Sequence, residues 1–278
     1  MIRVSAARRI LLISLGQSNE QGAAFLVGGI VRDRYISRYT GLRDPFPGCN
    51  NINQGGSFFP YLIDMGLERG VFFHMLNYAI GGASVASYTG RLGATITGGG
   101  DPSVPAAQGY MSPYGLSGGT SALVEGDAGF DPFGLLARSR AAIAAAVAAQ
   151  HFDAVVSLWS NGEADAGTSS AAYQAHLESI GNYMLASGAE AHLIGLSSKG
   201  GSATGAQMST LQSGVAAAIT SMRAAGKNVH AGADMFARFG SSPPLYPEID
   251  GTTYVHGTLR YQEHRARMLD DILMKAGY

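Results

Sequence analysis

The chain has 278 residues, 46% hydrophobic and 14% charged, with a formal net charge of −1. That is enough apolar material for a large core, and without clustered Lys and Arg it lacks the surface a nucleic-acid partner requires. The single cysteine, Cys49, excludes an internal disulfide framework, and no apolar stretch is long enough to cross a bilayer.

In chain order, Arg3, Arg8 and Arg9 precede the apolar run Ile10-Leu11-Leu12-Ile13-Ser14-Leu15. The run is shorter than the apolar region of a signal peptide and no small-residue cleavage site follows, so it reads as a mature core strand. Localisation stays open. Residues 58–68 read as a helix stopped by Gly70, and 71–80 as a second strand ending in Gly81-Gly82-Ala83-Ser84. Residues 135–150, rich in alanine and without a breaker, form a helix. The third strand is 153–159, followed by Ser160-Asn161-Gly162-Glu163-Ala164-Asp165. Helix 169–186, strand 191–197, helix 206–225, strand 228–234 and a last helix 259–276 complete the series.

This alternation predicts an α/β fold: a three-layer α/β/α sandwich around a mostly parallel five-stranded sheet. The segments 32–56 and 88–131 interrupt it as long insertions rich in glycine, and loops of that length are functional or disordered. Tyr88, Tyr110 and Tyr114 are either stacking surfaces for a sugar or buried anchors of the second loop. No repeat or linker divides the chain, so residues 1–278 are read as one domain.

A serine at the C-terminal edge of a buried strand becomes a nucleophile only with a base, a group orienting that base, and donors aimed at the oxyanion. Each is available after a strand. Ser18 follows strand one within Gly16-Gln17-Ser18-Asn19, Gly81 and Gly82 follow strand two, and Asn161 follows strand three. His256 follows strand five, just before the last helix. A parallel sheet brings these ends to one edge.

Here the chain resembles the SGNH (GDSL-like) hydrolases, in the form found in sialate O-acetylesterases and related carbohydrate acetylesterases. Gly16-Gln17-Ser18-Asn19 is similar to their first block, and Ala79-Ile80-Gly81-Gly82-Ala83-Ser84 to the glycine-bearing second. Trp159-Ser160-Asn161-Gly162-Glu163-Ala164-Asp165 is similar to their Trp-x-Gln-Gly-Glu-x-Asp block, with Asn161 in place of Gln. Val255-His256-Gly257, with Tyr261 and Arg265 on the following helix, resembles the closing histidine block. The resemblance implies the SGNH, flavodoxin-like fold and a serine esterase acting on short acyl groups, O-acetyl esters of a carbohydrate first among them, with no cofactor. Ser18 would be the nucleophile and His256 the general base. The oxyanion would be held by the N–H groups of Ser18 and Gly82 and the amide of Asn161, with Gln17 and Gly81 in support. The Gly81–Gly82 assignment is open by one residue.

The chain departs from the family at the acid. Where an Asp stands two or three residues before the histidine, this sequence has Tyr254 and Thr253; the nearest upstream carboxylate is Asp250, six residues before His256. Gly251 lets the chain bend so that Asp250 reaches the imidazole, which is the preferred reading. The alternatives are a backbone carbonyl, leaving a dyad with Asp250 a turn residue, and Glu163, preferred as an acceptor that fixes the backbone of its own block.

Each residue also has a plainer structural reading: Ser18 as a helix cap, Gly81-Gly82 as a turn, Asn161 as a capping amide, His256 as a packed imidazole. The four blocks in one order favour the catalytic set. His74, His192 and His230 fall in strands as packed or edge residues, His176 and His264 on helices facing solvent, and Trp159 in the core. No histidines have metal-ligand spacing with a carboxylate or thiol nearby. The nucleophile elbow Gly-x-Ser-x-Gly is absent, since Glu20 stands at its second glycine, and no phosphate-binding glycine loop follows a strand. The expected partner is a glycan or small-molecule ester. The competing readings are a glycan-binding module with weakened catalysis, motivated by the altered acid position, and a lipase or thioesterase of the same superfamily.

Overall fold

A computed structural model describes residues 8–16, 58–79, 84, 85, 88, 135–197, 203–240 and 259–278. Strands β1 (Arg8–Gly16), β2 (Val71–Asn77), β3 (Ala154–Asn161), β4 (Ala191–Leu196) and β5 (Val229–Asp234) pair in parallel throughout, in the order β2-β1-β3-β4-β5. The described helices are α1 (Phe59–Glu68), α2 (Leu135–Ala149), α3 (Ser170–Ala186), α4 (Gly205–Ala224), α5 (Met235–Phe239) and α6 (Leu259–Lys275). The strand order is that of flavodoxin-like doubly wound folds.

The near-continuous apolar run of β1 is what a strand covered on both faces requires. Its side chains alternate between two cores. Leu11, Ile13 and Leu15 join the cluster with Ile143, Leu177, Ile180, Leu211 and Ile219 of α2, α3 and α4. Ile10 and Leu12 join the opposite cluster with Leu62 and Ile63 of α1 and Leu269 and Leu273 of α6. These two clusters make the sheet the middle of three layers, as the alternating pattern predicts.

Local signals set the ends. Gly70, at φ 78°, reverses the chain between α1 and β2. The Ser169 hydroxyl accepts from Ala172 N at the start of α3, and Thr204 and Gln207 form a reciprocal capping box on α4. The structure corrects several expectations. Strand two ends at Asn77 rather than residue 80, with the Asn77 side chain turning back to accept from Ala79 N. Strand three continues through Asn161, so Asn161 is its last residue rather than part of the following loop. The short helix α5 follows β5 directly, because Asp234 caps it by accepting from Ala237 N; the five-residue segment is too short for periodicity to reveal. His176 is buried rather than solvent-facing, since α3 is enclosed along much of its length, and His264 is half-buried edge-on to Phe239.

The direction of α6 bears on the site. Its C-terminal end lies at the start of the strands: Gly277 O accepts from Arg8 Nη1, Tyr278 O from Arg69 Nη1, and the Tyr278 hydroxyl from Asn228 Nδ2. Its first turn lies at the other end, where Tyr261 stacks on Phe239 just beyond β5. The beginning of α6 is therefore at the C-terminal edge of the sheet.

One buried histidine sets a stability prediction. His192 Nδ1 lies 2.7 Å from Ser157 Oγ on the neighbouring strand, and buried Nε2 has no hydrogen-bond partner among the described residues. Burial pulls its pKa down to about 3. The unfolded chain binds a proton below the ordinary histidine value while the folded chain does not, so this group's contribution is lost as pH falls from about 6.5. Asp165, with a raised pKa, acts with the opposite sign, so the test must isolate the imidazole. The stability difference between wild type and His192→Asn should shift against wild type by about 1.4 kcal/mol per pH unit below about 6. Urea unfolding of both proteins at pH 7 and pH 5 checks this; an unchanged difference would show that His192 is charged in the fold.

Candidate functional site at the C-terminal edge of the sheet

In this strand order β1 lies between β2 and β3, and the crevice outside the C-terminal ends of β1 and β3 is where such sheets bind ligands. The register puts Gly16 of β1 opposite Ser160 of β3, and Asn161 opposite Leu196 of β4. Gly16 has φ 144°, outside the range side-chain-bearing residues favour, so the chain leaves β1 in a direction open to glycine.

Tyr88 holds that exit. Its hydroxyl accepts from Gly16 N at 3.0 Å, and its one proton faces the carbonyls of Gly16 at 2.7 Å and Tyr78 at 2.8 Å. The ring is 3% exposed and packs edge-on against Trp159, centroids 4.9 Å apart. Tyr88 is thus a buried anchor and no sugar platform; of the two roles open to it in the sequence, packing decides. Tyr110 and Tyr114 lie outside the described residues. Tyr88→Phe leaves the buried Gly16 N–H without its acceptor and should cost about 1–3 kcal/mol. Chemical denaturation would reveal it, and a change below a few tenths would mean that water or a shifted backbone replaces the hydroxyl.

The third-strand block is built around two side chains. Asn161 is buried; its Oδ1 accepts from Gly162 N at 2.7 Å and its Nδ2 donates to Asp165 Oδ2 at 3.0 Å. Asp165 closes a short 3-10 turn, Glu163–Asp165, and accepts from Val85 N at 3.0 Å through Oδ1 and 3.3 Å through Oδ2. Glu163 accepts instead from the Ser197 hydroxyl, beyond the end of β4. The turn is therefore tied on one side to β4 and on the other to the chain that follows β2. The Tyr173 hydroxyl of α3 points at Asn161 O, 3.4 Å away.

The electrostatics are those of buried groups. Burial pushes the Asp165 carboxyl up to about 8, Glu163 adds to the rise, and the Val85 N–H opposes it. The Asn161 amide donates to the same group and also favours the ionised form. Burial, with the nearby Asp165 and Glu163 carboxylates, raises the Tyr173 phenol well above its ordinary value, so it stays protonated. Among the described residues, no group of three or more His, Cys, Asp or Glu side chains could hold a metal ion. No described helix is long and apolar enough to cross a membrane.

Of the residues singled out in the sequence, Asn161 and Glu163 are described and stand at this edge. Gln17, Ser18, Gly81, Gly82, Asp250 and His256 lie outside the described residues. The residue that holds the Asn161 amide is Asp165, to which the sequence reading assigns no role. The available signal was its spacing: a carboxylate four residues after an amide, across a glycine, suits a side chain folding back over one turn.

No family model matches the chain, and no curated protein does. Among solved structures it is similar to a family two carbohydrate esterase from Clostridium thermocellum in complex with cellohexaose, at 13% identity and TM-score 0.47 over 97% of this chain. The chain spans only 65% of that esterase's length. It is also similar to TesA, at 14% identity and TM-score 0.49 over 96% of this chain and 99% of that one. A third likeness is to a member of the lipolytic protein G-D-S-L family from Veillonella parvula, at 12% identity and TM-score 0.44 over 96% of this chain and 97% of that one.

Proposed function

We propose that the protein is a serine esterase that hydrolyses short acyl esters, O-acetyl groups on a carbohydrate in particular. The observation that carries this reading is the Asn161 amide, buried at the C-terminal edge of β3 with both ends fixed, beside the point where β1 hands over to Gly16-Gln17-Ser18-Asn19. Ser18 follows Gly16 by two residues, which span at most about 7 Å, so the reading asks for no long excursion of the chain to bring the nucleophile to that amide. His256 stands three residues before α6, whose first turn is at this edge as well.

In this mechanism Ser18 Oγ attacks the acyl carbonyl while His256 takes its proton. The oxyanion is held by the N–H groups of Ser18 and Gly82 and by Asn161 Nδ2, with Gln17 and Gly81 supporting the loops. His256 then protonates the departing alcohol, and water, deprotonated by the same imidazole, releases the acid from the acyl-enzyme. Asp250 orients His256 in the preferred form of the proposal. Asp250→Asn separates triad from dyad, since near-normal kcat would remove Asp250 from the machinery. Acetate release from a panel of acetylated glycans tests the substrate class. A series of p-nitrophenyl esters tests the acyl preference, and rates that hold or rise beyond short chains would favour a lipase or thioesterase instead.

A further inference from the structure

We propose that Asp165 is a positioning residue that aims the Asn161 amide and holds it in register with the chain after the Gly81-Gly82 pair. This rests on the esterase reading above and assigns how its oxyanion donors are kept together.

An amide can present its nitrogen or its oxygen to a ligand, and the two are nearly isosteric. Here the choice is made twice. Asp165 Oδ2 accepts from Nδ2, and Gly162 N donates to Oδ1. A flipped Asn161 would set its oxygen against a carboxylate and its NH2 against an N–H. Because the amide is planar, fixing one Nδ2 hydrogen on Asp165 fixes the direction of the other.

The same carboxylate accepts from Val85 N, three residues beyond Gly82 in sequence. One buried side chain thus bonds to two of the segments expected to donate to the oxyanion. In its ionised form, which both of these N–H bonds favour, the carboxylate is acceptor-only and serves the two donors together. An asparagine at 165 has one acceptor and one donor, so it must confront either Val85 N or Asn161 Nδ2 with a second N–H. Glu163 has a different task, since it reaches Ser197 beyond β4.

The test is a double-mutant cycle in steady-state hydrolysis of p-nitrophenyl acetate, using wild type, Asp165→Asn, Asn161→Ala and the double variant. Misaiming one donor should lower kcat by roughly 10- to 100-fold with KM changed less than about 3-fold. In the Asn161→Ala background the amide to be aimed is gone, so Asp165→Asn should cost less than about 3-fold. Equal costs in both backgrounds, or a rise in KM with kcat unchanged, would overturn the proposal. Should near-UV circular dichroism show Asp165→Asn unfolded, Asp165→Ser takes its place in the cycle. Unfolding of both variants would make the role structural and overturn the proposal. Ser18→Ala tells this failure from that of the esterase reading. Activity insensitive to Ser18 removes both, whereas Ser18-dependent activity with an additive cycle removes only the role of Asp165.

Discussion

Ser18→Ala should lower kcat for p-nitrophenyl acetate on the order of 10³-fold or more, leaving the residual rate that binding and oxyanion donors sustain without a nucleophile. The loss is large because the hydroxyl forms the covalent bond, and no neighbouring group in the proposed site replaces it. His256→Ala should cost a similar amount, and the double variant little more, since the two act as a unit. The need for a neutral imidazole should make kcat/KM rise with pH through about 6–7. Wild-type rates in purified Ser18→Ala protein would end the serine-esterase reading. Binding of an acetylated glycan without turnover, and no labelling of Ser18 by a fluorophosphonate, would point to the glycan-binding alternative.

Asn161→Ala should lower kcat about 10²- to 10³-fold with little change in KM. The donor is worth most in the transition state, where charge builds on the acyl oxygen, and Asn161 is fully buried, where that charge has little water to screen it. Removing the amide also takes an N–H from the buried Asp165 carboxylate and an acceptor from Gly162 N. A loss of stability should therefore accompany the kinetic effect, readable in a denaturant melt. If kcat falls less than about 5-fold while stability falls as expected, Asn161 is a structural amide and another group faces the oxyanion.

Much of the fold was legible because a parallel sheet writes its burial into the chain. β1 is apolar over its whole length since both faces are covered, and the alanine run of α2 has no breaker. α4 begins at Gly205, one residue before the expected start, where Thr204 and Gln207 cap it. Errors fell where local pattern and tertiary contact disagree. Asn161 reads as a loop residue by propensity, yet pairing with β4 carries the strand through it. α3 carries little apolar asymmetry, so nothing in its pattern marked His176 for burial. The candidate site was legible as blocks of residue types after successive strands. Its wiring was not, because Asp165 to Val85 spans eighty positions and Tyr88 to Gly16 seventy-two.

The sequence alone determined the alternation of strands and helices and the order in which the candidate residues follow successive strands, and its single cysteine allows no internal disulfide framework. Those are local properties, carried by composition and spacing over a few residues. Tertiary structure decided that Asn161 closes β3, that Tyr88 is an anchor, and that Asp165 rather than Glu163 holds the amide. Each of these depends on which buried polar group meets which distant donor. Burial makes an unmet hydrogen bond costly enough to select the partner, and the chain reveals that partner only after folding.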